Sequence, residues 1–254
     1  MYMTKGPPAK RVFLIKVRAI IRQILFAPGA CHGPECSHPV SKRLKAEGYD
    51  IEMVHLPSVG PVEYLADFSP DVAHIRAEVE RIANSGRRIV VVAHSYGGVV
   101  SSEAIQGLDL VTRPKNGQSG GVAHLFLCCS FVISKGKSVI GTFGGNNLPW
   151  WNISADRLAL SPISPGEIFY VSTSEVQGAV ARLKPHSYQT LHSPVTYAAW
   201  KHVPTIYLYC VKDNAIPFYV IPIRTETVDA SHSPLFSVPA EMTAAIRRVA
   251  GEGV

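Results

Sequence analysis

The segment RRIVVVAHSYGGVV, residues 87–100, most constrains how this chain can fold. Residues 89–92 are all β-branched and predict a short strand that is buried on both faces. After Gly97 and Gly98, small and apolar residues return at helical spacing. Ser95 therefore lies where a strand turns sharply into a helix, and Ala93 and Gly97 supply the small residues that such a crowded turn requires. The pattern A-x-S-x-G is a relaxed form of the nucleophile-elbow motif.

Ser95 has two interpretations. A serine that precedes a helix often does no more than cap the helix N-terminus. In an elbow, the turn instead lifts the hydroxyl off the end of the sheet and directs the helix N-terminus at it, where a developing oxyanion is stabilised. The complete strand, turn and helix favour the nucleophile. We then expect the rest of the chain to supply an acid, a base and an oxyanion hole.

Composition limits the class of protein. At 254 residues and 46% hydrophobic, the chain can bury a large core in one α/β domain. The net charge is +6, but the basic residues cluster at 5–22 and are otherwise scattered without interleaved aromatics, which argues against a nucleic-acid partner. Five cysteines, an odd number with two adjacent in an apolar run, predict reduced, buried thiols and a cytoplasmic protein. Nothing in the sequence indicates an oligomeric state.

Residues 1–22 form a basic N-terminal extension. Lys16, Arg18 and Arg22 interrupt its apolar runs, which leaves them too short for a signal peptide or a membrane-spanning helix. The segment is either an amphipathic helix that contacts a membrane surface or an extension that simply precedes the fold. We favour the second and expect no stable membrane insertion.

From residue 23 to residue 254, strand and helix patterns alternate. Strands are predicted at 24–27, 49–54, 89–92, 124–132, 205–210 and 224–228, and helices at 39–47, 69–85, after Ser95 and at 239–249. This order predicts an α/β fold with a mostly parallel sheet, helices on both faces and a site at the carboxyl ends of the strands. The alternation breaks at about 134–200, with helical pieces at 173–184 and 194–200, and this insertion is expected to form a cap over the pocket.

Asp213 and His232 are the candidate acid and base. Asp213 follows the strand after the cap, and His232 follows the last predicted strand, which gives the chain order Ser, Asp, His. Asp213 would orient the imidazole, and His232 would take a proton from Ser95 and return it to a leaving group. The alternative is that Asp213 begins an ordinary turn with Asn214 and that His232 is a loop residue.

The oxyanion donors are expected to be two backbone amides. Tyr96 directly follows the nucleophile, and Ala30 lies in the loop after the first strand, next to the small residue Gly29. The alternative for Ala30 is an ordinary turn at the end of a strand.

Other side chains are candidates for substrate binding. His32 and His94 lie beside the expected site, and Trp150 and Trp151 lie in the cap, where they would either line an apolar pocket or pack the core. No histidine or cysteine spacing matches a metal motif, so neither a metal nor another cofactor is expected. The remaining histidines near these segments are predicted to be pocket walls or surface residues: His55, His186, His192 and His202.

Six segments together resemble the α/β-hydrolase superfamily and, within it, the fungal and bacterial single-domain hydrolases related to plant methyl esterases and hydroxynitrile lyases. They are PGACHG at 28–33, LPS at 56–58, DFSPDV at 67–72, AHSYGG at 93–98, KDNAIP at 212–217 and SHSP at 231–234. The resemblance covers residues 23–254. It implies an α/β-hydrolase fold and the cleavage of a small carboxylic ester or lactone through an acyl-enzyme, without a cofactor.

Two positions separate the esterases from the lyases in this resemblance. The lyases carry Thr where Gly29 stands and Lys directly after the catalytic histidine, where this chain has Ser233. Both positions favour the esterase. The alternatives are a lyase that uses the same triad and a ligand-binding α/β-hydrolase whose triad is idle.

The spacing between Asp213 and His232 departs from the resemblance. Relatives have a full helix between these positions, but 19 residues here must hold a turn, a crossover and a strand. Pro217 and Pro222 leave almost no helix between 216 and 223. Either the last part of the sheet is rearranged or the activity is impaired.

Overall fold

A computed structural model describes residues 20–170, 176–217 and 221–254 of the chain. The strands are β1 (Gln23–Ala27), β2 (Asp50–Met53), β3 (Arg88–His94), β4 (Gly121–Cys128), β5 (Trp151–Ile153), β6 (Ala159–Pro162), β7 (His186–Ser187), β8 (Thr205–Cys210) and β9 (Arg224–Val228). The helices are α1 (His38–Ala46), α2 (Ser69–Asn84), α3 (Gly97–Ala104), α4 (Thr112–Lys115), α5 (Val139–Thr142), α6 (Pro165–Phe169), α7 (Val176–Val180), α8 (Pro234–Ser237) and α9 (Pro239–Val249).

Six of these strands form one sheet in the order β2-β1-β3-β4-β8-β9, and each neighbouring pair is parallel. Residues that alternate along a strand face opposite sides of this sheet. Leu25 and Val91 pack into the core formed with α2 and α3, whereas Ile24 and Val90 pack into the core formed with α1 and α9. Helices therefore cover both faces, which is why the central strands are continuous apolar runs. The predicted fold class is confirmed.

Residues 134–200, which the sequence predicts to form the cap, contain a small antiparallel sheet in the order β5-β6-β7 together with α5, α6 and α7. This segment joins the body through β7, where the Ser187 amide donates to the Ser58 carbonyl at 2.8 Å. The helix predicted at 173–184 is only partly present, because α7 ends at Val180, and residues 171–175 lie outside the described residues.

The helix predicted at 194–200 is wrong. Only a short 3-10 helix, Ala199–Lys201, forms in this part of the cap. The amides of Thr196 and Tyr197 donate instead to the carboxylate of Glu103, at 2.9 and 3.0 Å. The Ala199 amide, which a helix over 194–200 would direct to the Val195 carbonyl, donates to the Ser102 hydroxyl of α3 at 2.8 Å.

The strand predicted at 124–132 ends early, at Cys128. Cys129 has a φ of +44°, which takes the chain out of the sheet. The Ser130 amide donates to the Tyr207 hydroxyl at 2.9 Å, so a side chain of β8 replaces the strand pairing.

The short connection before β9 does not disturb the sheet. β8 and β9 pair in parallel from Ile206 with Arg224 to Cys210 with Val228. No helix forms in the described part of the connection, residues 211–217 and 221–223, and residues 218–220 lie outside the described residues. The last strand therefore delivers His232 to the carboxyl edge in spite of the spacing.

Most of the N-terminal extension, residues 1–19, lies outside the described residues, and its role stays a prediction. Where the description begins, the Ile21 amide donates to the Ala250 carbonyl at 2.9 Å, which ties the start of β1 to the end of α9. Across the described ranges, no helix combines the length and the apolar character needed to cross a membrane.

Gly97 provides a test of this packing. A Cβ at this position would lie 2.5 Å from the Pro28 carbonyl oxygen and 2.6 Å from that of Ala27. We expect Gly97→Ala to lower the free energy of unfolding by about 1–3 kcal/mol, measured by urea denaturation. In α7, a Cβ on Gly178 would meet its nearest atom at 3.6 Å, so Gly178→Ala should leave stability within about 1 kcal/mol or raise it. Equal effects of the two substitutions would contradict this interpretation.

Candidate active site

Ser95 lies at a strained turn between β3 and α3. Its φ is +52°, a left-handed conformation that costs a residue with a Cβ about 1–3 kcal/mol. Two hydrogen bonds hold it there, because the Ser95 amide donates to the Cys128 carbonyl at 3.1 Å and the Ser130 hydroxyl donates to the Ser95 carbonyl at 2.7 Å. Tyr96, not Ser95, occupies the N-cap position of α3, and no side chain caps this helix. The capping interpretation of Ser95 is therefore wrong.

Asp213 and His232 form a buried pair at the carboxyl edge of the sheet. His232 Nδ1 lies 3.0 Å from each carboxylate oxygen of Asp213. The amides of Ala215 and Ile216 also donate to Asp213, at 2.8 and 3.1 Å, so this aspartate does begin a turn as well. Burial alone would raise the pKa of Asp213, but His232 and the two amides outweigh it and hold this pKa below its usual value. The carboxylate stays ionised and keeps Nδ1 as the donor.

His94 supports His232 through the backbone. Its Nε2 lies 2.7 Å from the His232 carbonyl oxygen, which can only accept, so Nε2 carries the proton. The two rings lie 4.8 Å apart between centroids. Burial, and then the neighbouring His232 and His32, lower the pKa of His94 well below its ordinary value. The ring is therefore neutral at neutral pH.

His32 acts in the same way on the loop after β1. Its Nδ1 donates to the Ala30 carbonyl at 2.7 Å, and its Nε2 accepts from the Tyr170 hydroxyl at 2.9 Å. Burial lowers the pKa of His32 to about 4, so this ring is also neutral at neutral pH. His32 and His94 thus fix the backbone of the site at Ala30 and at His232.

The two expected oxyanion donors are free to bind a ligand oxygen. Within the described residues, the amides of Ala30 and Tyr96 donate to no protein atom. Gly29 brings the Ala30 loop against the elbow, since a Cβ on Gly29 would lie 2.8 Å from the Cβ of Ser95. This distance leaves no room for a side chain at position 29.

The side chain of Tyr96 is anchored in a buried polar cluster. Its hydroxyl donates to Asp71 Oδ2 at 2.8 Å, the Ser58 amide donates to Asp71 Oδ1 at 2.8 Å, and the ring packs edge-on against His186 at 4.6 Å. The first turn of α2 and the cap thereby hold the residue that follows the nucleophile. The sequence analysis missed this role, although Ser58 and Asp71 fall within two of the segments that carried the resemblance.

Phe169 and Tyr170 form an aromatic wall that the sequence analysis also missed. The Phe169 ring lies 5.4 Å from that of His232 and 5.3 Å from that of His32. Trp150 packs behind it, 5.2 Å from Phe169, and its indole nitrogen donates to the Ala215 carbonyl at 2.9 Å. Trp151 is buried and packs 5.7 Å from Trp150. The two tryptophans thus lie one layer behind the histidines.

A narrow pocket opens beside this wall. Its lining includes His32, His94 and Ser233, the charged residues Glu35 and Arg182, and apolar side chains of α7 and α8. Within the described residues, His94 Nδ1 and the Ser233 hydroxyl have no hydrogen-bond partner. The pocket therefore combines apolar walls with two polar atoms that a ligand could satisfy. Trp150 and Trp151 are absent from its lining.

The comparisons with known proteins agree with this fold. The model of the alpha/beta hydrolase family matches residues 24–246. The chain belongs to this family. Alpha/beta hydrolase nvfD of Aspergillus novofumigatus is 26% identical and covers 91% of this chain and 97% of its own. Methylesterase 7 of Arabidopsis thaliana is 22% identical, and the alignment covers 90% of this chain and 96% of the methylesterase. The crystal structure of a pyrethroid hydrolase from Sphingobium faniae superposes with a TM-score of 0.70 at 18% identity. The superposition covers 92% of this chain and 98% of the pyrethroid hydrolase.

Asp71 makes the stability of this member of the family depend on pH. Burial is the largest influence on the Asp71 carboxyl and raises its pKa above the ordinary value, against the opposing hydrogen bonds of Ser58 and Tyr96. A raised folded-state pKa adds stability that is complete below pH about 4 and is lost as the pH rises through that pKa. Wild type should therefore lose unfolding free energy relative to Asp71→Asn between pH 4 and 7, measured by urea denaturation. If wild type instead gained unfolding free energy relative to Asp71→Asn over this pH range, the assignment would be contradicted.

Proposed function

We propose that the chain is a serine hydrolase that cleaves a small carboxylic ester or lactone through an acyl-enzyme. One observation carries the proposal: His232 Nδ1 lies 3.0 Å from both oxygens of a buried, ionised Asp213, at the sheet edge where the Ser95 elbow also lies. A histidine held in this way presents Nε2 as a base. Membership of the family and the similarity to plant methylesterases support the same reaction class.

In the proposed mechanism, Ser95 Oγ attacks the carbonyl carbon and His232 Nε2 takes the hydroxyl proton. The amides of Ala30 and Tyr96 stabilise the oxyanion that develops. His232 then gives the proton to the leaving alkoxide. In the second half of the reaction, His232 takes a proton from the water that attacks the Ser95 ester and returns it to Ser95 Oγ as the acid leaves. Asp213 stabilises the imidazolium in both steps and stays ionised.

Gly29 and Ser233 favour the esterase over the lyase. A threonine at position 29 would bring its Cβ to 2.8 Å from Ser95 and 3.0 Å from His94 Nδ1, so this backbone excludes it. A lysine at position 233 would place an ammonium where the present residue is 5% exposed. Position 29 therefore excludes a side chain, and position 233 disfavours a charged one.

The narrow pocket suggests the substrate class. Its apolar walls fit the hydrocarbon part of an ester, and His94 Nδ1 and the Ser233 hydroxyl are placed to bind a polar atom of that group. In this proposal His32 and His94 bind substrate at the pocket wall and also hold the backbone. Trp150 and Trp151 pack behind Phe169 and do not line this pocket.

We also propose a cytoplasmic location. All five cysteines are free thiols, and four of them are buried. Such thiols suit a reducing compartment.

Kinetics with p-nitrophenyl acetate test the proposed roles. Because the nucleophile and base act as a unit, Ser95→Ala and His232→Ala should each lower kcat/KM by about 10³-fold or more. Asp213→Asn should lower it by about 10²- to 10⁴-fold, because the ring is then free to adopt the wrong tautomer. His74→Ala, at an exposed position of α2, is the matched control and should match wild type. Wild-type hydrolysis no faster than in Ser95→Ala would contradict the proposal.

A further inference from the structure

Three cysteines lie directly beneath the acid–base pair. Cys128 ends β4, Cys129 follows it, and Cys210 ends the neighbouring strand β8. The Cys129 and Cys210 sulfurs are only 2.7 Å apart. All three are free thiols. The left-handed backbone of Cys129, with a φ of +44°, turns this residue out of the strand pattern.

Cys129 brings its sulfur to the proposed catalytic residues. The sulfur of Cys129, a carboxylate oxygen of Asp213 and a ring nitrogen of His232 all lie within 4.8 Å of one another. Cys210 joins this group through its contact with Cys129, and its carbonyl accepts from the Asp213 amide at 3.2 Å. Three side chains of the kinds that bind transition metals therefore lie close together at one buried point, and the thiol of Cys210 lies beside them against Cys129.

The donor set fits zinc. Zn²⁺ binds thiolate, imidazole and carboxylate with tetrahedral geometry, at about 2.3 Å to sulfur and about 2.0 Å to nitrogen or oxygen. These bond lengths place neighbouring ligand atoms about 3.2–3.8 Å apart. The 3.0 Å between His232 Nδ1 and Asp213 is already close to this range. The two sulfurs would separate by about 1 Å, and both would move toward Asp213 and His232. Two sulfur donors disfavour Mg²⁺ and Ca²⁺, which prefer oxygen.

We propose that Cys129, Asp213 and His232 bind Zn²⁺, that the neighbouring thiol of Cys210 moves in as the fourth ligand, and that this ion switches the site off. The ion would take Nδ1 of His232 and a carboxylate oxygen of Asp213, and both thiols would release their protons to solvent. A neutral imidazole that binds metal through Nδ1 carries its proton on Nε2. His232 then cannot accept the proton of Ser95. The binding site stands on its own geometry, whereas the inhibition rests on the proposed function.

Cobalt is the spectroscopic probe for the site. The full-length, reduced chain is titrated with Co²⁺, and we expect the intense visible bands of tetrahedral cobalt with a thiolate-to-cobalt charge-transfer band in the near ultraviolet. Zn²⁺ should displace both. Cys129→Ser should abolish the thiolate band or weaken affinity by about tenfold or more, and Cys36→Ser, which removes a thiol outside the cluster, should retain both.

Activity is measured separately. Zn²⁺ should inhibit ester hydrolysis by wild type, a chelator should reverse the inhibition, and Cys129→Ser should be less sensitive than Cys36→Ser. If no variant hydrolyses esters but the thiolate band appears and depends on Cys129, the metal site stands and the proposed function fails. Absence of the thiolate band would overturn the site. So would an intact mass two hydrogens lower with no metal bound, because Cys129 and Cys210 would then form a disulfide.

Discussion

Close contact between two backbone segments holds this site together. The loop after β1 lies directly on the turn at Ser95, and neither Gly29 nor Gly97 has room for a Cβ. This contact brings the amide of Ala30 to the same side of the sheet as that of Tyr96. It also supports the left-handed backbone of Ser95, which costs about 1–3 kcal/mol and which hydrogen bonds with Cys128 and Ser130 stabilise.

The three histidines of the site differ in what they face. His32 and His94 each donate to a backbone carbonyl, and burial lowers the pKa of both, so that they position the chain without carrying charge. His232 faces the carboxylate of Asp213 instead, at 3.0 Å. The hydrogen-bond partner of each histidine thus sets its role: His32 and His94 position the backbone, and His232 is the proposed base.

The sequence predicted what depends on local pattern and chain order. Strands 205–210 and 224–228 and helix 239–249 have the predicted bounds. An apolar run marks the first strand, and apolar periodicity and a proline at its start mark the helix. The positions of Asp213 and His232 followed from the order of strands. The short segment between them did not matter, because parallel pairing of β8 with β9 fixes the edge at which His232 emerges. What failed depends on contacts between distant residues. Glu103 and Ser102 of α3 bind the backbone of the segment predicted as a helix at 194–200, and Phe169, Asp71 and Cys129 reach the site only through the tertiary fold.

The most direct test of the central claim is the reaction of the full-length chain with a fluorophosphonate, followed by mass spectrometry of the labelled peptide. An activated serine attacks this reagent whatever the natural substrate is, so the measurement does not depend on the choice of ester. The account predicts one adduct per chain, on Ser95, and its loss in His232→Ala. An unlabelled wild type, or an adduct on another residue that persists without His232, would contradict it.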